Sequence, residues 1–183
     1  MKRFVLLWLS LVMLLTAFPV LASATTPIDV AGDMTYMARF KVHDDSGACV
    51  PPDGPGDPRP PCIRMAGGNT LGETYEDAVL TGGMSGTSTD DCRVVIYRSG
   101  AWFYTSISSF EGTVDGREGT LRISLVGTRP SGDAEWEGSW VILGGDGDLA
   151  ALHGQGTWSG YGAPDVWVWG AVSYEGQVHF DPE

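Results

Sequence analysis

FEGTVDGREGTLRISLVGTRPSGDAEWEGSWVILGGDGDLAALHGQGTW, residues Phe110 to Trp158, sets the rhythm of the whole chain. Asp115-Gly116, Pro130 to Asp133 and Gly144 to Asp148 supply turn chemistry, and strand-length segments lie between them at Gly119 to Thr128 and Ala134 to Leu143. A pleated strand sends successive side chains to opposite faces. Leu121, Ile123 and Leu125 therefore share one face, as do Trp136, Trp140 and Ile142, and each strand presents one apolar side.

The same pattern extends upstream and downstream. Ser99-Gly100 reads as a hairpin turn between Cys92 to Arg98, rich in β-branched residues, and Ala101 to Phe110. Leu71 to Leu80 contains helix formers but reads as a strand, and Asp33 to Val42 alternates, with Met34, Tyr36, Ala38, Phe40 and Val42 on one side. Val166 to Phe180 puts Val166, Val168, Val172, Tyr174, Val178 and Phe180 on one face and Trp167, Trp169, Ser173, Glu175, Gln177 and His179 on the other. No stretch keeps a 3.6-residue period. About eight strands joined by short turns make an all-β meander, and closure into an antiparallel barrel removes the two edges that such a sheet would expose. Glycines inside the runs, among them Gly138, Gly154, Gly156, Gly170 and Gly176, leave space that Trp140, Trp158 and Trp169 are expected to fill. An open β-sandwich is the competing architecture.

The amino terminus has a basic start at Lys2 and Arg3, an apolar run from Phe4 to Phe18, and Ala22-Ser23-Ala24. This is the pattern of a secretory signal peptide, residues 1–24, too short in its apolar part to span a bilayer. Residues 25–183 are then expected to form a single β-barrel domain in an extracellular or periplasmic setting. The sequence carries 23 acidic side chains against 11 basic ones. A field of that sign repels phosphate backbones and anionic lipid heads, which argues against nucleic acid and membrane-surface partners.

Three cysteines are present, at Cys49, Cys62 and Cys92. Cys49 and Cys62 bracket VPPDGPGDPRPP, a surface loop over 49–62 too rich in proline and glycine for helix or central strand, and a disulfide at its base is the favoured pairing. Cys92 could instead pair with either, or all three could join His43 at zinc, although none of the close spacings of structural zinc occurs. Left alone, Cys92 reads as a buried small hydrophobe.

Phe110-Glu111-Gly112, Asp115-Gly116-Arg117 with Gly119, Gly138-Ser139-Trp140, and Gly144-Gly145-Asp146-Gly147-Asp148-Leu149 with Leu152, Gly154 and Gly156 follow one another in a recognisable order. This order resembles that of an uncharacterised bacterial family with an allene-oxide-cyclase-like, broadly calycin-like barrel, over roughly Leu71 to Trp158. The resemblance implies a closed barrel of about eight strands. It leaves chemistry open, since the bacterial family has no settled activity, whereas the plant cyclases hold a fatty-acid chain in an apolar cavity. The bacterial relatives often carry a histidine in the strand after the glycine turn. Here that region, Ile123 to Val126, is ISLV, and the long proline loop is an addition.

The residues that could carry function are few. Glu73, Tyr75 and Asp77 share one face of a strand and would be the best polar ligands of a cavity if that face pointed inward. Glu111 and Asp115, near Arg117, could form an acid–base pair but sit beside a turn, where acids are normally solvated. Trp167 and Trp169 lie on the polar face of the last strand and call for a ligand, a second subunit or the proline loop as a partner. His153 and His179 have no accompanying nucleophile motif, and Gly144 to Asp148 lacks the spacing of a calcium loop. No catalytic set, metal site or cofactor motif is legible. The sequence therefore favours a secreted barrel that binds a small apolar or amphipathic molecule; a lipid-directed isomerase or cyclase, or a protein-interaction module that could self-associate, are the alternatives.

Overall fold

The computed structural model describes residues 26–132, 135–162 and 168–182. The expected signal segment and Trp167 lie outside these residues. Eleven strands are present among them: β1 (Ile28–Phe40), β2 (Val42–His43), β3 (Cys49–Val50), β4 (Ile63–Ala66), β5 (Asn69–Gly82), β6 (Met84–Ile96), β7 (Trp102–Val114), β8 (Arg117–Arg129), β9 (Trp136–Gly147), β10 (Leu152–Gly162) and β11 (Val168–Phe180). There is no helix among the described residues.

Strands β5 to β11 pair antiparallel in chain order, and β1 then joins β11 on one side and β5 on the other. The result is the expected closed meander of eight strands rather than an open sandwich. Turn chemistry sets the hairpins. Asp115 and Gly116 both have positive φ, 51° and 75°, and this leaves Val114 opposite Arg117, as a two-residue turn between twisted strands requires. A short hairpin of β4 with the start of β5 turns the same way at Gly67 and Gly68.

The proline loop hangs from the barrel's edge. A Cys49–Cys62 disulfide closes it, the Cys62 amide donates to the Lys41 carbonyl at 2.8 Å, and Arg59 bridges Asp57 at 2.5 Å and Asp53 at 3.0 Å. Hydrogen bonds from the Arg59 side chain and backbone hold the Asp57 carboxyl well below the usual range.

Inward positions alternate along each barrel strand, with a register shift between β8 and β9 at Arg122/Ile123, and aromatic rings pack against glycines of neighbouring strands. A methyl group at Gly156 or Gly176 would come within 2.5 or 2.4 Å of the Trp140 ring, and one at Gly127 or Gly138 would strike Trp158 at 2.3 or 2.5 Å. The third ring is not Trp169, which points outward and is 69% exposed. Its odd parity in β11 places it with the solvent-facing side chains, and Tyr36 covers Gly162 and Gly170 instead.

At Gly170 the three atoms nearest to an added methyl group all belong to Tyr36, at 2.2 to 2.6 Å. Gly170→Ala should therefore lower stability by roughly 1–3 kcal/mol through overpacking. In a Tyr36→Ala background most of that cost should vanish. A denaturation cycle in which the two substitutions simply add would show that the ring does not occupy this place.

One end of the barrel is plugged. Val114, Leu149, Leu152 and Val178 are fully buried there, and the Arg117 guanidinium lies 3.8 Å over the Phe180 ring. The other end, where β7 and β9 begin and β8 finishes, carries Trp102, Trp136 and Arg129.

Candidate functional site

Hydrophobic alternation explains most of the barrel interior, but not the wall formed by β5, β6 and β7. Their inward faces carry Thr74 and Glu76, then Ser88, Asp90 and Cys92, then Tyr104, Ser106 and Ser108. Antiparallel register sets Glu76 directly opposite Asp90, Thr74 opposite Cys92, and Asp90 opposite Ser108. Two carboxyl groups thus meet inside the barrel, and Asp90 is only 1% exposed.

The wall is hydrogen-bonded internally. Tyr104 Oη donates to Glu76 Oε2 at 3.2 Å and lies 3.5 Å from Cys92 Sγ, while Ser88 Oγ donates to Asp90 Oδ1 at 3.0 Å. Burial, reinforced by the charge of Asp90, pushes the Glu76 carboxyl up to about 8. Burial likewise raises Asp90, against the opposing hydrogen bonds from Ser108 and Ser88. The Cys92 thiol and the Tyr104 phenol are pushed well above their ordinary values, first by burial and then by Glu76. At neutral pH Glu76 is mostly protonated, and Cys92 is an inert thiol rather than a nucleophile.

Glu76 and Tyr104 reach a cavity of about 40 Å³, whose other walls are Met34, Tyr36, Leu125, Trp136, Trp158 and Val172. Tyr104, Trp136 and Trp158 form a cluster with ring centres 6.0 to 6.5 Å apart. Above it Arg129 lies over Trp102 at 5.1 Å and Trp136 at 5.6 Å, and its Nε is buried without a hydrogen-bond partner among the described residues. The indole N–H groups point away from the cavity, Trp136 Nε1 to the Gly162 carbonyl at 3.4 Å and Trp158 Nε1 to that of Ser139 at 3.3 Å. The polar groups on its lining are thus the Glu76 carboxyl and the Tyr104 and Tyr36 hydroxyls, among otherwise apolar walls. It holds about two or three waters, an order of magnitude less than the sites that enclose drug-sized ligands.

Glu73, Tyr75 and Asp77 have the parity opposite to Glu76 and face out. On the outer wall Lys41 bridges Asp91 at 2.7 Å and approaches Glu73 at 3.9 Å, while Arg39 lies 5.0 Å over the Tyr75 ring and pairs with Asp77. Glu111 also faces solvent, and Asp115 is a turn residue. Asp77, Glu111 and Trp169 come together on the lining of an outer groove, away from the cavity; Glu73 and Tyr75 do not line that groove. His153 pairs with Asp181 at 3.1 Å and stacks on His179 at the strand ends. His43 lies near Cys49 and Cys62, whose sulfurs the disulfide occupies, and Cys92 is inside the barrel, so the three cysteines and His43 do not form one site.

Glu76, Asp90 and Tyr104 were not singled out from sequence. On β5 the phase is weak: Glu76 shares the inward parity of Ala78 and Leu80, but Leu71 and Val79 are apolar on the opposite face. On β6 Asp90 shares the inward parity of Cys92 and Val94.

No curated protein matches the chain. Among solved structures it is similar to a protein of unknown function of the DUF3224 family from Shewanella oneidensis MR-1. The identity is 17%, over 86% of this chain and 100% of that one, with a TM-score of 0.56, a likeness of fold. The family described as "Protein of unknown function (DUF3224)" matches residues 59–162, a span from the end of the proline loop through β10 that holds the whole Glu76–Asp90–Tyr104 wall, and the chain belongs to that family.

Proposed function

We propose that this barrel binds a small, largely apolar molecule bearing a hydrogen-bond acceptor, at the end where Trp102, Trp136 and Arg129 stand. The observation that carries the reading is the aromatic-lined cavity into which the hydrogen-bonded Glu76–Tyr104 pair reaches. A protonated carboxyl is a donor in a site that penalises charge, so the pair favours a neutral carbonyl or ether oxygen over an anion. Entry displaces the few waters the cavity can hold and requires Met34, unbranched and adaptable, to give way. The side chains now fill the space that a fatty-acid chain would need.

A thermal-shift and tryptophan-fluorescence titration with cyclohexanone and methylcyclohexane tests this. Cyclohexanone should raise the melting temperature and perturb the emission of Trp136 and Trp158, with an affinity at least tenfold above that of the hydrocarbon. Its advantage should shrink between pH 6 and pH 9.5 as Glu76 ionises. Equal binding of the two compounds, or of neither, would remove the assigned role of the carboxyl.

The second reading is an isomerase in which Glu76 moves a proton on the bound molecule. It is favoured by the carboxyl raised to about 8, close to the range that suits acid–base work at neutral pH. Deuterium exchange into cyclohexanone above the buffer rate, lost in Glu76→Gln, would distinguish it from binding alone. The Cys49–Cys62 disulfide and the apolar amino-terminal run support work in an oxidising extracellular or periplasmic compartment.

A further inference from the structure

The outer wall carries a second constellation, unrelated to the cavity. Trp169, Met37, Asp77, Thr89, Ser109 and Arg122 stand opposite one another in register across six adjacent strands, β11, β1, β5, β6, β7 and β8. The neighbouring row adds Thr87, Glu111 and Thr120, again directly opposed. Both rows line one continuous surface groove of about 630 Å³. Five strand spacings make the row roughly 24 Å long.

Its chemistry is uneven along its length. One end is an indole that is 69% exposed; Met37 and Asp77 come next, then a band of hydroxyl groups, and the far end is a guanidinium. Hydroxyl groups both donate and accept, and the guanidinium only donates. Asp77 is paired with Arg39, and the lining's remaining charged side chains, Glu111 and Arg122, are one of each sign, so the groove itself is close to neutral on a chain whose net charge is −12.

We infer that this groove binds a neutral polysaccharide laid across the strands. A pyranose ring offers a face of C–H bonds that packs on an indole and a rim of hydroxyls that both donate and accept, which is what Trp169 and the band of Thr89, Ser109, Thr87 and Thr120 complement. The length of the row suits several linked rings rather than one. The balanced groove selects against charged glycans, and the acidic chain repels polyanions. A protein partner would leave most of this hydroxyl band without specific use, whereas a glycan engages it ring by ring.

Retention on washed insoluble cellulose, chitin and starch tests the inference, with purified protein whose disulfide is intact. At least one of the three should retain it, alginate beads should not, and Trp169→Ala should reduce retention tenfold or more. Trp169→Tyr should recover much of it, and Arg122→Ala should weaken it with no change in melting temperature. Leu143→Ala, which removes an exposed apolar side chain elsewhere on the outer wall, should leave retention intact. Retention on none of the three polymers, equal retention by Trp169→Ala, or binding to alginate overturns the proposal. So would concentration-dependent dimerisation abolished by Trp169→Ala without any glycan retention, which would assign the groove to a second copy of the chain.

Discussion

Replacing Glu76 by glutamine should stabilise the protein at pH 8 and flatten its stability between pH 5 and pH 8. Glu76 titrates at about 8 in the fold against an ordinary value of 4.5. Below pH 4.5 the carboxyl is protonated whether the chain is folded or not, and it contributes nothing. Between 4.5 and 8 the unfolded chain releases the proton while the folded chain keeps it, so rising pH favours unfolding. Above 8 both states are ionised and the penalty levels off. Across that window the cost is on the order of 5 kcal/mol, a large share of the stability of a domain of this size. Asp90 is raised too and adds a penalty of the same sign. Glutamine keeps the shape and a partner for Tyr104 but has no charge to bury. The lowered carboxyls of Asp44 and Asp57 act oppositely, and their contribution is lost only as pH falls below about 4, so the two windows separate. Urea denaturation at pH 5 and pH 8 decides the matter: a glutamine variant weaker than the parent at pH 8 would mean that Glu76 is ionised and well solvated or paired.

Trp140→Ala should cost about 3–5 kcal/mol, the other large effect. The ring is 2% exposed and spans Gly156 on β10 and Gly176 on β11, so three strands lose a common contact. The void cannot collapse readily, because the glycines beneath it have no side chains to move in. A calorimetric or denaturant measurement showing less than about 1 kcal/mol would indicate that the barrel wall relaxes into the space. The indole N–H of Trp140 has no hydrogen-bond partner among the described residues, so little polar bonding is lost with the ring.

What could be read from the sequence divides along physical lines. Turns were legible because their chemistry is local: Asp115-Gly116 needs two positive φ angles, and only a few residue pairs accept them. The parity of β8, β9 and β11 was legible because Leu121, Ile123, Leu125, Trp136, Trp140, Val172 and Val178 mark the inward face unmistakably. On β5 that contrast fails. Its inward face reads Gly72, Thr74, Glu76, Ala78, Leu80 and its outward face Leu71, Glu73, Tyr75, Asp77, Val79, so acids and apolar residues lie on both. Attention then falls on Glu73 and Asp77, which meet Lys41 and Arg39 outside, while the acid that shapes the interior goes unread. The opposition of Glu76 and Asp90 depends on a register set by the Gly82–Met84 turn, where Tyr174 Oη accepts from the Met84 amide at 2.7 Å and donates to the Thr81 carbonyl at 3.0 Å. No pattern within a single strand reveals that contact between distant segments.

The closure of the sheet by β1 has a consequence for how the chain reaches its native state. The first strand is bonded along one side to the last and along the other to β5, so Ile28 must find Val178 before the ring is complete. The seven strands from β5 to β11 can zip up one hairpin after another, each contact short-ranged and quick. The pairing of β1 with β11 joins the two extremes of the described chain, a separation that makes the search for it slow and entropically expensive. Until it happens two unpaired strand edges stand open to other chains. The same strand that finishes the barrel is thus its guard against aggregation, and the time it takes to dock sets how long the protein remains vulnerable.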